Sequence, residues 1–176
     1  MNIRQTLRSD RIDVAKIYRT AMEGTEGIAR RAHEITETYI FSLLNKKDDE
    51  IVSLVAENDD EEIIGVLHAV KDGLEAHSHI LTDLTIIIDP EWQGKGIAKA
   101  LGVAFLMHVA QHRKDVMRVE MATPKELARI EAFGAAGFKQ EGDIPNRYRN
   151  EDGSFTDIIL MAWINPNFDP DFKVED

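Results

Sequence analysis

The sequence predicts a single α/β domain built on a mixed sheet with helices on both faces. Hydrophobic periodicity gives the order strand, two helices, three strands, helix, strand, helix, two strands. A glycine-containing junction, Gln93-Gly94-Lys95-Gly96-Ile97-Ala98, separates a strand-like run from a long apolar helix pattern. With 176 residues and 43% hydrophobic composition, the chain suffices for one domain with a substantial core and is short for two.

Each element has a local reason. Ile3 to Arg8 alternates as a strand, and Ser9 or Asp10 caps a helix with apolar positions Ile12, Ala15, Ile17 and Met22, stopping near Gly24. After a turn between Gly24 and Gly27, Ile28, Ala32, Ile35, Tyr39 and Leu43 recur every three or four residues, predicting a second amphipathic helix. Ile51 to Glu57 and Ile63 to Val70 read as a hairpin joined by the acidic turn Asn58 to Glu62. Leu81 to Ile88 is a third strand leading into the glycine junction, and the helix Ile97 to His112 presents Leu101, Ala104, Phe105 and Val109 to a core. A strand over Val116 to Met121 follows, then a helix from about Lys125 to Ala135. A hairpin of Phe138 to Tyr148 and Phe155 to Trp163, turning at Asn150 to Gly153, ends the domain at residue 164. Asn165 to Asp176 reads as an exposed, partly ordered tail.

Composition excludes several functions. No apolar run approaches the roughly 20 residues that span a bilayer, and Met1 leads straight into a strand pattern, so a soluble, unprocessed, cytoplasmic protein is expected. Without cysteine there is no disulfide and no thiolate nucleophile. Lys and Arg total 21 against 32 Asp and Glu, a formal charge of −11, which disfavours nucleic acid and anionic membrane as partners and favours an acceptor carrying an amine. The same acidity also serves solubility alone. No His-x-x-x-His pair or carboxylate cluster with ligand spacing rises above background, and His77-x-His79 in a loop is a poor ligand set, so no metal is expected.

The glycine junction is suited to an anion. Gly94 and Gly96 allow backbone conformations closed to other residues, and the first N–H groups of the following helix have no intrahelical acceptor. With the helix dipole and Lys95 and Lys99 alongside, these donors can hold phosphate oxygens. Neither the Walker spacing nor the dinucleotide Gly-x-Gly-x-x-Gly pattern fits the loop well, and a glycine pair here can also be only a tight connection.

These residues resemble the GNAT superfamily of N-acetyltransferases, whose acetyl-CoA motif reads Gln/Arg-x-x-Gly-x-Gly/Ala after an apolar strand and a proline; Gln93, Gly96 and Ala98 fall on it. The likeness extends to the strand Ile3 to Arg8 with its capped helix, to Ala136-Gly137-Phe138 and to Asp157 to Met161. It implies the GNAT fold, a mixed and mostly antiparallel sheet splayed at the cofactor cleft. It further implies that Gln93 to Ala98 bind the pyrophosphate of acetyl-CoA, the cosubstrate, while backbone groups of Ile86, Ile87 and Ile88 on the splayed strand meet pantetheine, their apolar side chains being equally readable as core alone. The chain departs from the family at two places: Phe133 stands where many members carry a thiolate-protonating Tyr, and Thr123-Pro124-Lys125-Glu126 stands in the usual Asn region. Phenylalanine cannot donate a proton. Tyr148 is the substitute candidate, Thr123 the candidate cofactor contact, and Phe133 is expected to pack beside pantetheine.

Acetyl transfer to nitrogen needs a neutral amine. A side-chain amine costs about 4.6 kcal/mol to neutralise at pH 7 and an α-amine roughly 1.4 kcal/mol. Asp83 and Glu120, on the two strands that diverge in the GNAT fold, are the base candidates, each equally readable as a surface ion pair. His68 reads as a packed strand residue and His79 as a loop residue. Glu23 and Glu26, at the turn between the first two helices, are candidates for binding a cationic acceptor, and Arg147 and Arg149 for a carboxylate. The expected activity is direct acetyl transfer from acetyl-CoA to a primary amine of a small molecule or peptide, with a homodimer left open. The alternative is a catalytically weak acyl-CoA-binding or sensing module, and the blandest reading an interaction domain with an accidental glycine turn.

Overall fold

A computed structural model describes residues 1–22 and 30–174 of the chain. Its seven strands are β1 (Asn2–Gln5), β2 (Ile51–Glu57), β3 (Ile63–Val70), β4 (Ile80–Ile88), β5 (Arg118–Pro124), β6 (Lys139–Arg149) and β7 (Phe155–Ile164). Its helices are α1 (Arg11–Met22), α2 (Glu37–Leu44), α3 (Ile97–His112) and α4 (Leu127–Ala135). The strands form one sheet in the order β1-β2-β3-β4-β5-β7-β6. Every neighbouring pair is antiparallel except β4 and β5.

Two cores flank this sheet. Alternation along β2 to β4 sends Val55, Val66 and Ile87 to one face, where they meet Val14, Ala15, Ile17, Tyr18 and Ala21 of α1. The opposite alternation sends Leu54, Leu67, Leu81 and Val119 to Leu101, Phe105 and Val109 of α3. Burying a side chain of this size contributes roughly 1.5–3 kcal/mol, so the two apolar helix stripes fix which face each helix covers.

The parallel pair places the functional cleft. β4 and β5 pair only at Ile80 with Arg118 and Leu81 with Val119. Past Leu81, β4 stays paired to β3 as far as Ile88, while β5 pairs with β7 as far as Pro124. The two strands therefore part in the middle of the sheet, and main-chain groups on their facing edges are left for a ligand.

Several expectations change in detail. β1 ends at Gln5, because residues 8–10 form a 3-10 turn in which the Asp10 carboxylate accepts the Leu7 N–H at 2.7 Å and pairs with Arg4 at 2.7 Å. Ile12 is 72% exposed; the packed stripe of α1 runs through Val14, Tyr18 and Ala21 instead. The second helix starts at Glu37, where the Thr36 hydroxyl caps Tyr39 N–H at 3.1 Å; Ala32–Glu34 is a separate 3-10 turn, and Ile28 lies outside the described residues. β5 runs on past Met121 to Thr123-Pro124, and the N-cap of the next helix is Glu126. Proline is tolerated there because it stands at the strand's end.

The segment after Ile164 does not begin as an exposed tail. Asn165 is buried and donates to the main-chain carbonyls of Arg113 and Val116, and Asn167 donates to that of Ala110. Arg113 is also buried, donating to the carbonyls of Asp48, Asp49 and Ile51 and pairing with Asp115 at 2.9 Å. These contacts tie the C-terminal segment and the start of β2 to the end of α3, at the pole opposite the α3 N-terminus.

Candidate active site

The glycine junction has the conformation its composition demanded. Gly94 and Gly96 sit at φ +74° and +81°, left-handed backbone that costs other residues about 1–2 kcal/mol. Gly96 is the N-cap of α3, and a β-carbon built on it would meet nothing within 4 Å, so backbone conformation rather than crowding requires glycine here. The N–H groups of Ile97, Ala98 and Lys99 precede the first intrahelical bond, which Ala100 N–H donates to Gly96 O at 3.0 Å. Lys95 Nζ lies 4.4 Å from the Trp92 ring centroid, a cation–π contact that keeps the ammonium at the loop. Gln93 ties the loop back to β4 by donating its side-chain amide to Ile88 O at 3.3 Å.

From this helix mouth a cavity of about 690 Å³ runs into the cleft, lined by Leu84, Ile86, Ile88, Trp92, Phe133 and Phe138 among others. Its walls are apolar except at the loop, which suits a ligand with one highly charged end and a thin organic arm. The side chains of Ile86 and Ile88 line this cavity, whereas that of Ile87 is core, buried against α1 on the other face. Phe133 lines the cavity and meets Phe138 edge to face at 6.0 Å.

A second cavity, of about 370 Å³, adjoins the first at the same divergence and shares Leu84, Ile86 and Phe133 with it. Asp83, Glu120, Thr123 and Tyr148 line it together. Asp83 is brought there by a bulge: β4 pairs Thr85 with His68 and then Thr82 with Val70, and Asp83 takes φ +54° in between. Burial raises the Asp83 pKa above the ordinary carboxylate value, opposed by Arg30, whose Nη2 donates to Oδ2 at 3.0 Å. Tyr148 is brought in by a second irregularity, between Ile144 and Tyr148 of β6, where Asn146 takes φ +56°. Burial, and then the charge of Asp83, raise its pKa, so its hydroxyl keeps its proton at neutral pH. Thr123 is buried with its Oγ1 unpartnered among the described residues, an available hydroxyl at the bottom of the cleft.

Glu120 is less free. Its carboxylate pairs with Arg118 Nε at 2.8 Å, and Arg118 also bridges to Glu141 on β6. Arg129 and Glu141, neither of them singled out by sequence, line the same cavity. Arg147 and Arg149 are exposed on the edge strand β6. Glu23 and Glu26 lie outside the described residues. His77 pairs with Asp72 at 2.6 Å on the surface, and His108 and His112 of α3 lie with ring centroids 5.0 Å apart, but among the described residues no third ligand joins either set.

His68 is fully buried beside this site, with Nδ1 2.9 Å from the Tyr18 hydroxyl and Nε2 unpartnered. Burial, and then the nearby charge of Arg30, push its pKa down to about 3. The unfolded chain protonates this histidine near pH 6.5, so stability is complete above that value and declines as pH falls towards 3, by up to about 1.4 kcal/mol per unit. His68→Asn is expected to remove that slope: urea unfolding should show the wild type losing about 2 kcal/mol more than the variant between pH 6.5 and 5.

Comparison with known proteins agrees with this geometry. A family model described as an acetyltransferase (GNAT) domain matches residues 49–140, more than half of the chain and including β2 to β5 and the glycine junction. No curated protein matches the sequence. Among solved structures, a ribosomal-protein-alanine N-acetyltransferase from Brucella melitensis superposes with a TM-score of 0.80 at 20% identity, covering 93% of this chain and 99% of its own. A putative acetyltransferase from Salmonella typhimurium, solved with its cofactor acetyl-CoA, gives 0.80 at 16% identity over 100% and 97%. A phosphinothricin acetyltransferase from Sinorhizobium meliloti, in complex with acetyl-CoA, gives 0.78 at 18% identity over 99% and 93%. The splayed sheet, the glycine-capped helix at its mouth and the family match together place the chain in the GNAT family of acetyltransferases.

Proposed function

We propose that this acetyltransferase, with residues 1–164 as its domain, moves the acetyl group of acetyl-CoA directly to a primary amine of a small molecule or peptide in the cytoplasm. One observation carries the reading: two adjoining cavities meet at the gap between β4 and β5, one reaching a helix N-terminus and the other lined by Asp83 and Tyr148. The residues present fit the cosubstrate. The N–H groups from Gly94 to Lys99 would hold the pyrophosphate, with Lys95 and Lys99 alongside; Ile86, Ile88 and Phe133 would flank pantetheine; and the free Thr123 hydroxyl would meet a polar group of the arm. When bound, acetyl-CoA supplies an activated acetyl thioester and a thiolate leaving group, so no enzyme nucleophile is needed, in keeping with a chain that has no cysteine.

The remaining work falls to side chains of the second cavity. Asp83 takes the proton of the acceptor's ammonium, a role for which a carboxylate above its ordinary pKa is better suited. Glu120, already paired with Arg118, ranks behind it. Tyr148 would give a proton to the departing sulfur and regain one as the acylated nitrogen sheds its second proton, replacing the hydroxyl that Phe133 lacks. Glu23 and Glu26 remain candidates for the far side of the acceptor.

The second reading, a weak acyl-CoA-binding module, is motivated by Phe133. Tyr148 on the same cavity as Asp83 counts against it. Release of free CoA from acetyl-CoA across a panel of primary amines separates the two. Turnover with any amine supports the enzyme, and tight acetyl-CoA binding without turnover on all of them supports the module.

A further inference from the structure

Arg30 belongs to no motif, yet it pairs with Asp83, which lines the acceptor cavity. Its Nη2 donates to Asp83 Oδ2 at 3.0 Å, and its guanidinium carbon lies 4.6 Å from the centroid of the Tyr39 ring of α2. The two charged side chains are 39% and 36% exposed, so the pair is reachable from solvent. The next residue is anchored across the opening: Arg31 Nη2 donates to the Arg149 carbonyl of β6 at 3.1 Å. Arg30 and Arg31 therefore join the α2 side of the site, at Tyr39, to the β6 side, at Arg149.

We infer that Arg30 is the acceptor-selecting residue of this site: its guanidinium holds on Asp83 the place that the acceptor's ammonium takes, so acceptor binding exchanges one cation for another. The inference rests on the acyl-transfer reading of the cavity. The contact is a single hydrogen bond rather than the two-pronged pairing that makes arginine–carboxylate pairs hard to separate. Tyr39 gives the guanidinium a stacking surface to keep when it leaves the carboxylate. A neutral acceptor group gains too little from Asp83 to displace a cation, whereas a primary ammonium replaces charge with charge.

The other charged or titratable groups around Asp83 do not compete for this position. Tyr18 of α1 and His68 of β3 are paired to each other, Tyr39 of α2 lies under Arg30, and Tyr148 comes from β6 beside Arg147. Glu120 is held by Arg118, as is Glu141, and Arg129 lines the cavity without an ion pair to Asp83. Among the described residues Arg30 alone pairs with this carboxylate.

The test uses n-butylammonium as probe and the carboxyl carbon of Asp83, followed by NMR, as reporter. In Arg30→Gln the Asp83 titration midpoint should rise, and at pH 8 n-butylammonium should bind about fivefold more tightly or better, because no internal cation has to be displaced. Arg30→Lys should restore both wild-type values. Acetyl-CoA affinity, measured in parallel, should be unchanged in both variants and serves as the folding check. An n-butylammonium affinity in Arg30→Gln within twofold of wild type, including no binding in either, overturns the inference. Wild-type turnover on the amine panel tests the acyl-transfer reading separately; that reading can hold while this inference falls.

Discussion

Gly96→Glu is expected to weaken acetyl-CoA binding at least about 100-fold, with the fold retained. Three effects add at one atom position. A glutamate brings a negative charge to the point where the N–H groups of Ile97 to Lys99 converge, and like charges compete directly with the diphosphate. Its side chain enters the space that the loop keeps open, since nothing lies within 4 Å of a β-carbon built there. Displacing even one or two charge-assisted hydrogen bonds removes roughly 1.5–3 kcal/mol each, enough for the factor of 100.

The left-handed φ of +81° adds strain of about 1–2 kcal/mol that the fold can absorb, because the residue is exposed and its new side chain meets no wall. Gly96→Ala carries the same strain without charge or length and should lose under about tenfold. Titration calorimetry with acetyl-CoA reads both variants, and a circular dichroism melt confirms that each is folded. Wild-type affinity in Gly96→Glu would remove the diphosphate from this helix mouth and with it the proposed reaction.

How much of this was written in the chain depends on the length scale of the signal. The loop was legible because its chemistry is local: two left-handed glycines, free N–H groups and lysines all lie within Gln93 to Lys99. The strands of the sheet were legible because alternation over five or more residues is a strong pattern. α1 was located correctly but its buried stripe was not: Ile12, read as core, is exposed, while Val14 and Tyr18 pack against Val55, Val66 and Ile87, on strands roughly 40 to 70 residues further on.

The second cavity was partly legible. Asp83, Glu120 and Tyr148 do line one cavity, but that cavity exists because of two irregularities in strand pairing, at Asp83 and at Asn146, neither of which carries glycine. Arg30 and Arg129 had no signal at all. Each reaches the cavity through tertiary contact, and a lone arginine outside any periodic pattern looks the same whether it guards a site or faces water. Of Ile86 to Ile88, whose side chains read equally as core, the two-residue period of the strand puts the middle one on the other face, in the core against α1.

Asp83→Asn is the change expected to cost most in turnover, roughly 10²- to 10⁴-fold in kcat with the amine that the panel identifies. Asparagine is the apt replacement because it tolerates left-handed backbone better than most residues, so the bulge at φ +54° persists and only the proton acceptor is lost. Stability should not fall for electrostatic reasons. Burial raises the folded-state pKa of Asp83, so the carboxylate opposes folding once pH passes its unfolded value, and the neutral amide does not. The pH profile carries the sharper signature. In the wild type kcat/KM should fall on the acid side through a limb lying above the ordinary carboxylate range, as Asp83 takes up its proton. In Asp83→Asn that limb should vanish, leaving a low rate that rises with pH as the free amine fraction grows. Glu120→Gln, whose carboxylate is held by Arg118, should keep the limb and lose less than about tenfold. If Glu120→Gln instead abolishes the limb and Asp83→Asn preserves it, the base lies on β5 and the bulge in β4 serves only to shape the cavity.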